Sequence, residues 1–365
     1  SSGQALCTPL WHPEAVVSSS LSADNRFVAT TCRDNLIRIW DLAYFQGEQQ
    51  TIRHPATLLN ASFSPTGDRL ATATTEHNAV IWDANRKPPR PLLSLDHTEP
   101  VGLVTFASSN DRVVTATVTG TAYLWNAVSG EQITQLPMAS DGVRVVLLQP
   151  SGDYVAAIGR SEQVHVWSLE TGEQIFSSGS EGQLTTAISW HPGRPELLVV
   201  QAEAEAAVST LVRFNAETGL PIGEPVQVAG YLRSAVHHPD GEHLLATVVT
   251  ARSIEARLLR LDNGESTGES ISHRDPVEHI RLSPAGDVVA SCSTAGVIRF
   301  WNSSDANPLS SEIPHATQIV DMQFSHDGSL LATASSKGIV RIYSSPSGLP
   351  VSMATDVGRQ VQRLR

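Results

Sequence analysis

The chain has 365 residues, 41% of them hydrophobic, and carries 25 basic against 37 acidic side chains, for a net charge of −12. This acidic balance argues against a general nucleic-acid binder, because such a protein needs a basic face to displace counterions from phosphate. There is no run of 18 apolar residues and no charged-then-apolar leader, so neither a membrane span nor a secretory signal is predicted.

The cysteines and the first residues bear on compartment and extent. Cys7, Cys32 and Cys292 form an odd, widely spaced set without a CxxC pair. Such cysteines predict free thiols in a reducing compartment and therefore a cytoplasmic location. The chain begins Ser1-Ser2-Gly3 without a methionine, which predicts a processed chain or a piece of a longer protein.

A unit of about 40 residues repeats along the chain. Its clearest copy opens with His54, turns at residues 64–68 and closes on Trp82-Asp83. Eight copies can be counted by their closing residues, which lie 40 to 47 residues apart: Trp40, Trp82, Trp125, Trp167, Phe214, Leu261, Trp301 and Tyr343. Five of the closing aromatics are preceded by a histidine 28 residues earlier: His12, His54, His97, His273 and His315.

Each copy predicts the same short elements in the same order. An apolar position lies four residues after the histidine position and another lies five residues further on, as Leu58 and Phe63 do in the second copy; only Thr185 and His237 break the two columns. A cluster of Ser, Asn, Asp or Gly then supplies a tight reversal. Two further strand-like runs follow, and the second of them ends at the closing residue.

A period of this length, with four short strands, an entry histidine and a closing Trp-Asp, is typical of a propeller blade. The pattern resembles the WD-repeat (WD40) β-propeller family from about Cys7 to Met353. The resemblance implies an all-β fold: an eight-bladed β-propeller of four-stranded antiparallel blades, with a single domain over 1–355 and a C-terminal tail over 356–365. The alternative, seven blades plus an extra repeat, would leave one repeat with unburied faces.

The two ends of the chain supply one outer strand too many for eight blades. Residues 4–11 and 344–356 both look like outer strands. In the resembled family the N-terminal strand completes the last blade and closes the ring, which removes an open sheet edge. The opposite arrangement, closure by the C-terminal strand, remains open from the sequence.

The fifth and sixth copies are longer than the others in the same place. From the hairpin residue, His191 or His238, to the closing position is 23 residues, against 18 elsewhere. The extra residues are predicted in the connections at 201–210 and 250–257, where they would form a local wall on one rim, called the top face in the resembled family. Neutral drift in a loop explains them equally well.

The resemblance also implies a polar tetrad of entry histidine, second-strand hydroxyl, turn acid and closing Trp. Buried hydrogen bonds from the indole through the hydroxyl and imidazole to the carboxylate would stiffen a blade. Only the first copy has the full set, and the second has glutamate for aspartate: His12, Thr30, Asp34 and Trp40, then His54, Thr72, Glu76 and Trp82. Recurrence of these offsets in incomplete copies favours a structural role over a catalytic one.

No other pattern predicts catalysis or a metal site. His238 stands at a hairpin position and His237 at a core position, so these two and His243 are predicted to be structural. Catalytic motifs and phosphate-binding glycine loops are absent from the sequence. We therefore expect no catalytic residue, cofactor or metal. The alternative is a propeller enzyme, or a small-ligand or metal-binding propeller, that uses the central channel.

In the resembled family, three positions of each repeat surround the top mouth of the channel. They lie three and five residues after the histidine position and one before the turn acid. Seven residues stand out from the small side chains otherwise found there: Arg33, Leu59, Arg144, Arg160, Tyr231, Arg233 and Glu278. Tyr and Arg dominate binding hot spots, and four arginines would suit an acidic or phosphorylated segment. Ordinary surface arginines are the competing interpretation.

These features predict a non-catalytic interaction scaffold or sensor module that binds a protein or peptide on its top face. Segments such as GLPIGEPVQ at 219–227 are similar to those of propellers attached to bacterial signalling proteins, including serine/threonine kinases. That resemblance implies a monomeric cytoplasmic domain of a larger bacterial signalling chain, with neither nucleic acid nor membrane as a partner.

Overall fold

A computed structural model describes residue 5 and residues 9–42, 49–54, 56–107, 110–137, 143–159, 161–178, 183–203, 208–250, 253–315 and 318–346. Within these ranges the secondary structure consists of 31 strands and the turns between them, with no helix. None of the described segments could therefore cross a membrane as a helix.

The strands form eight antiparallel sheets, each of which is one blade. In each blade the chain runs from the inner strand, beside the central axis, to the second, third and outer strands. β1 (Leu10–Trp11) comes first in the chain and belongs to blade 8. Blade 1 has β2 (Val16–Leu21), β3 (Phe27–Cys32), β4 (Leu36–Asp41) and β5 (Gln49–Arg53). Blade 2 has β6 (Leu58–Phe63), β7 (Arg69–Thr74), β8 (Asn78–Asp83) and β9 (Arg90–Asp96).

The other six blades repeat this order. Blade 3 has β10 (Val101–Phe106), β11 (Arg112–Thr117), β12 (Thr121–Asn126) and β13 (Gln132–Pro137). Blade 4 has β14 (Val143–Leu148), β15 (Tyr154–Gly159), β16 (Val164–Ser168) and β17 (Gln174–Ser178). Blade 5 has β18 (Gln183–Trp190), β19 (Glu196–Glu203), β20 (Val208–Asn215) and β21 (Val226–Ala229). Blade 6 has β22 (Tyr231–His237), β23 (His243–Val249) and β24 (Ile254–Arg260). Blade 7 has β25 (Val277–Leu282), β26 (Val288–Ser293), β27 (Val297–Asn302) and β28 (Ile313–Pro314). Blade 8 has β29 (Ile319–Phe324), β30 (Leu330–Ser335) and β31 (Ile339–Ser344).

The predicted all-β, eight-bladed propeller is confirmed, and the seven-bladed alternative is wrong. Blade 6 has its outer position filled by residues 266–271, which form two bridges, Ala256–Ile271 and Leu259–Ser266. The second strands are buried on both faces because each is covered by the neighbouring blades, and β3, β26 and β30 contain no exposed residue. Their sequences are accordingly runs of small and apolar residues.

The hydrophobic core is divided among the interfaces between neighbouring blades. In one cluster, Phe27 and Ile37 of blade 1 pack with Leu58 and Phe63 of blade 2. An equivalent cluster joins blade 8 to blade 1, where Val340 and Ile342 pack with Val16, Leu21 and Trp40. The ring is therefore closed by the same packing that holds any two consecutive blades together.

The N-terminal strand completes the last blade. β1 pairs with β31 through Leu10–Val340 and Trp11–Ile339, and Ala5 forms a further bridge with Tyr343. Of the two arrangements that the sequence leaves open, closure by the N-terminal strand is the one present. Residues 347–365 lie outside the described residues, so the domain limit at 355 and the tail at 356–365 remain predictions.

The extra residues of blades 5 and 6 lengthen strands. The second hairpin of blade 5 pairs seven residues, Glu196 to Ala202, and that of blade 6 also pairs seven, His243 to Val249. The equivalent hairpin of blade 1 pairs five, Phe27 to Thr31. The expectation that the insertion lies in connecting loops is therefore wrong for most of it, because strand pairing satisfies the added backbone groups.

Candidate partner-binding surface

A β-bulge recurs at one position in every inner strand. Each register shift skips one residue, five after the histidine position: Val17, Leu59, Gly102, Arg144, Thr186, Arg233, Glu278 and Val320. A bulge bends its strand and re-aims the side chains beside it. Four of the seven predicted binding residues, Leu59, Arg144, Arg233 and Glu278, are therefore bulge residues. We call the ring of eight the bulge ring.

The bulge ring lies toward the top face, which carries the turns between second and third strands and the segments entering the inner strands. These two sets of loops are hydrogen bonded to each other, as from His54 N–H to Asn35 O at 3.0 Å. Arg33 lies in the blade 1 turn, where its N–H donates to Ala15 O at 3.0 Å and its side chain is exposed. Tyr231 begins β22 and is half-buried.

Arg233 and Glu278 lie on the same side of the ring. Arg233 is exposed on blade 6. Glu278, on blade 7, accepts a hydrogen bond through Oε1 from Gln318 Nε2 of blade 8 at 2.9 Å, and its Oε2 is buried without a partner. Both charges affect the pKa of His279. Burial is the main cause that lowers this pKa, followed by the positive charge of Arg281. Glu278 opposes the shift, and Arg233 adds to it.

The predicted mouth of four arginines is only partly described. Arg144 stands at the blade 4 bulge, but its side chain and the whole of Arg160 lie outside the described residues. Arg33 on blade 1 and half-buried Leu59 on blade 2 stand further round the ring from Arg233 and Glu278. The basic mouth therefore stays a prediction, with exposed guanidinium groups described at Arg33 and Arg233.

Sequence reasoning missed a set of side chains that join neighbouring inner strands. An inner strand is a sheet edge, so its backbone groups need partners from outside the sheet. Polar side chains of the preceding blade accept these N–H groups: Ser20 Oγ from Phe63 at 3.1 Å, Asn60 Oδ1 from Val104 at 3.1 Å, Asp321 Oδ2 from Ser19 at 3.1 Å and Gln323 Oε1 from Leu21 at 3.3 Å. The sequence contains a pattern that could have predicted these acceptors. Each is a polar residue two or four positions after the first apolar position of its inner strand.

Three members of the predicted tetrad, the histidine, the hydroxyl and the Trp, are hydrogen bonded to one another in four blades, and we call this set the polar relay. In blade 7 serine replaces threonine as the hydroxyl residue. In each, an entry histidine Nε2 and a closing Trp Nε1 meet the same second-strand hydroxyl. The histidine and Trp distances are 2.7 and 3.1 Å at Thr30, 3.3 and 3.0 Å at Thr72, 2.7 and 2.8 Å at Thr115, and 2.6 and 2.7 Å at Ser291.

The carboxylate that the tetrad predicts as the partner of the entry histidine does not bind that histidine. In blade 1, Nδ1 of His12 is 3.1 Å from the Gly338 carbonyl oxygen, while Asp34 pairs with Arg38 through Nη2–Oδ2 at 2.5 Å and Nη1–Oδ1 at 3.2 Å. Asp34 binds Arg38 in preference to His12, because two parallel N–H donors of a guanidinium match a carboxylate, whereas an imidazole offers only one. In blade 2, Glu76 is exposed.

The electrostatics of His12 favour a structural role. Burial, followed by the positive charge of Arg38, lowers the pKa of His12 to about 4. At neutral pH its imidazole is therefore uncharged. A buried base of this pKa, without a carboxylate to orient it, is poorly matched to proton transfer near pH 7.

The histidines of blade 6 bind to neighbouring groups of the protein. Nδ1 of His237 is 3.0 Å from Ser189 Oγ, while Nδ1 of His238 and Nδ1 of His243 approach Oδ2 of Asp240 at 2.9 and 2.8 Å. Burial disfavours the charged carboxylate, but hydrogen bonds from the Glu242 N–H and from His243 lower the pKa of Asp240 to about 2. Across the described ranges, no group of three or more His, Cys, Asp or Glu residues could hold a metal ion.

Comparison with known proteins agrees with this architecture. The model of the WD domain, G-beta repeat, matches residues 4–41, 264–302 and 307–344, which correspond to blades 1, 7 and 8. The crystal structure of the computationally designed Ika8 protein superposes with a TM-score of 0.76 at 16% identity, covering 94% of this chain and 100% of that one. Fold and repeats together define an eight-bladed β-propeller that contains WD repeats.

The chain is similar to several curated eukaryotic proteins. It is 24% identical over 225 residues to the transcriptional corepressor LEUNIG_HOMOLOG of Arabidopsis thaliana, covering 51% of this chain and 28% of that protein. It is 22% identical over 179 residues to transcription initiation factor TFIID subunit 5 of Caenorhabditis elegans, covering 48% and 27%. It is 23% identical over 303 residues to the human serine-threonine kinase receptor-associated protein, covering 82% and 70%. Three blades of this chain match the WD40 repeat, and its matches to the first two relatives span about a quarter of their length.

Proposed function

We propose that this chain is a non-catalytic protein-interaction module whose partner segment binds across the top mouth of the channel. The bulge ring carries the proposal, because the same distortion recurs in all eight blades and re-aims the inner-strand side chains beside it. Such a device supplies variable side chains on a fixed framework. Blade 6 presents an arginine there and blade 7 a glutamate.

The partner segment is acidic or phosphorylated in this proposal. The exposed guanidinium groups of Arg33 and Arg233 can each form two parallel hydrogen bonds with a carboxylate or phosphate. An arginine mouth on a chain of net charge −12 would concentrate binding of anionic segments at one place. The same net charge disfavours nucleic acid as the partner.

The relatives and the thiols support the wider setting of this proposal. Relatives described as a corepressor, an initiation-factor subunit and a receptor-associated protein support a role within protein assemblies. We place the chain in the cytoplasm as one monomeric domain of a larger signalling protein, and the buried free thiols of Cys32 and Cys292 support a reducing compartment. A bacterial origin rests on the resemblance of the outer segments alone.

The test uses a defined pool of phosphoserine peptides and the same pool after dephosphorylation. Arg33→Glu combined with Arg233→Glu should reduce capture of the phosphorylated pool at least about tenfold, because two charge-assisted contacts become repulsive. The thermal midpoint should stay unchanged, since both side chains are exposed. Arg144→Glu with Arg233→Glu should have the same effect if Arg144 also faces the mouth.

The matched control is Arg194→Glu, which reverses an exposed arginine in a turn between first and second strands, on the face opposite the mouth. It should leave capture intact. Equal capture of the dephosphorylated pool would contradict the acidic-partner proposal. Unchanged capture by both double variants would place the binding site away from the mouth.

A further inference from the structure

A cavity of about 300 Å³ opens between the outer strands of blades 1 and 2, outside the bulge ring. Its wall includes His54, Glu76, Val80, Trp82 and Leu93 of blade 2, with Arg53 of blade 1 on the other side. The rings of His54 and Trp82 meet edge to face at 5.4 Å, and both are fixed by the Thr72 hydroxyl. The cavity therefore has a rigid aromatic wall.

In blade 1 the corresponding position is filled from within. Arg38 lies two residues before the closing Trp40 and is only 5% exposed. Its guanidinium forms two hydrogen bonds with Asp34, at 2.5 and 3.2 Å. Blade 7 has Arg299 at the same position, with its guanidinium 4.7 Å from the centre of the Trp301 ring. An arginine two residues before the closing Trp thus recurs in this molecule.

Blade 2 retains the acid and the Trp of this arrangement but lacks the arginine. Val80 stands at the position of Arg38, and Glu76 stands at the position of Asp34. Among the residues that the structure describes, no ion pair or hydrogen bond reaches the Glu76 carboxylate. The shorter Val80 lines the cavity at the position that Arg38 has in blade 1, and the Glu76 carboxylate lines it without an ion pair among the described residues.

We propose that this cavity is a binding pocket for an arginine side chain of a partner peptide. The incoming guanidinium would pair with Glu76 beside Trp82, as the guanidinium of Arg38 pairs with Asp34 in blade 1. Arginine fits better than lysine, because its planar fork matches a carboxylate and stacks on an aromatic ring. The volume lies in the range of pockets that hold small ligand groups.

Arg53 is the competing occupant. It lines the same cavity, its residue is exposed and it makes no ion pair with Glu76. If its side chain filled the pocket in solution, an arginine peptide would have to displace it. Removal of Arg53 therefore separates a pocket for a partner from one filled by the chain itself.

The probe is the peptide acetyl-Gly-Ser-Gly-Arg-Gly-Ser-Gly-amide, with the citrulline peptide as its neutral counterpart. Binding is followed by the NMR signal of the Trp82 indole N–H, assigned by its disappearance in Trp82→Phe. The arginine peptide should shift this signal saturably, and the citrulline peptide should bind at least about tenfold more weakly, because it lacks the charge-assisted pair. Equal shifts with both peptides would overturn the proposal.

Two variants test the position of the pocket. Val80→Arg supplies the missing cation within the chain and should abolish the peptide response without lowering the thermal midpoint. Glu76→Gln keeps the shape and should weaken binding about tenfold. Glu131→Gln, an exposed neutralisation in a turn of blade 3, is the charge-matched control and should have no effect.

Arg53→Gln should leave peptide binding unchanged or strengthen it. Loss of binding in Arg53→Gln, or full binding by Val80→Arg, would overturn the assignment of the pocket. Either result is independent of the top mouth, because none of these substitutions touches the bulge ring.

Discussion

At the scale of single residues, the relay hydroxyl assigns the proton positions of its neighbours. Thr30 Oγ1 accepts the Trp40 indole N–H, so its own O–H is free to donate to His12 Nε2. The Nδ1–H of His12 then donates to the Gly338 carbonyl oxygen. This neutral tautomer agrees with the lowered pKa of His12. One buried hydroxyl thus satisfies two ring nitrogens at once.

The first prediction concerns this hydroxyl. Thr30→Val keeps the shape but leaves the Trp40 indole N–H and one His12 nitrogen buried without a partner, so the free energy of unfolding should fall by about 2 kcal/mol. Denaturant unfolding of the variant and the parent measures the difference.

The matched control is Thr333→Val in blade 8, where Tyr343 replaces Trp and neither ring nitrogen of His315 has a hydrogen-bond partner. It should cost clearly less than Thr30→Val. Equal losses would show that the relay hydrogen bonds contribute little and that packing around the threonine dominates.

The relay also shows where prediction from sequence stops. The fixed offsets between His12, Thr30 and Trp40 reflect one blade geometry, so the sequence suffices to place them together. The partner of Asp34 could not be predicted the same way. Its choice of Arg38 over His12 depends on a competition between two nearby donors, and a repeat pattern carries no information on which one lies within reach.

At the scale of elements, glycines in the turns allow neighbouring blades to approach closely. A Cβ on Gly286 of blade 7 would stand 2.7 Å from Nε2 of His238 in blade 6. A Cβ on Gly338 would stand 2.5 Å from the carbonyl oxygens of both His12 and Glu14. The blade 8 turn at Gly338 therefore packs closely against the segment that follows the closing strand β1.

The second prediction tests this close packing at Gly338. Gly338→Ala combines a φ of +76° with a collision against backbone, so the closing strand should loosen and the free energy of unfolding should fall by about 2–3 kcal/mol. The His12 N–H, which donates to Gly338 O at 2.8 Å, should lose its protection from hydrogen exchange.

Gly223→Ala provides the comparison. Its φ is +69°, but a Cβ there meets only the end of the Arg213 side chain, at 3.4 Å. It should show the cost of the backbone conformation alone, about 1 kcal/mol, with normal protection at His12. Similar effects of both substitutions would mean that the Gly338 turn does not control closure.

Lengths of elements were harder to predict than their order. The turn and strand signals place all eight inner strands correctly, because alternation and turn residues are local properties. The extra residues of blades 5 and 6 could equally have formed loops. Whether Gln201 and Val248 join a ladder depends on their partners, Thr210 and Glu255, which periodicity alone does not pair.

At the scale of the whole molecule, the ring is closed by pairing of the first strand, β1, with the last blade. The sequence predicts the number of blades, because the closing residues, aromatic in seven of the eight copies, recur every 40 to 47 residues. It leaves open which end closes the ring, because residues 4–11 and 344–356 have similar patterns. The pairing of Leu10 with Val340 is a contact between distant parts of the chain.

Buried neutral histidines make the stability of the whole ring depend on pH. Burial lowers the pKa of His12, His237 and His315 to about 4, and lowers those of His54, His97 and His273. The unfolded chain, with histidine pKa values near 6.5, binds more protons at acidic pH than the folded one. Stability is therefore complete above about pH 6.5 and is lost as the pH falls toward 4.

The last prediction concerns this loss of stability at acidic pH. Between pH 7.5 and 5 the free energy of unfolding should fall by about 2 kcal/mol for each histidine whose folded pKa is near 4. Aspartates with lowered pKa values, such as Asp240 at about 2, lose their contribution only below about pH 4. A loss that begins below pH 6.5 therefore belongs to the histidines. His315→Leu removes one of them at a fully buried site.

The difference between His315→Leu and the parent at pH 7.5 reports packing and the burial of the neutral imidazole, because His315 is uncharged there in both states. At pH 5 the variant should gain about 2 kcal/mol relative to that difference, since the parent must keep a proton-binding group uncharged. Unfolding in denaturant at the two pH values measures both. A pH dependence identical in variant and parent would show that His315 is protonated equally in the folded and unfolded chain, and the acid sensitivity of the ring would then lie in its other histidines.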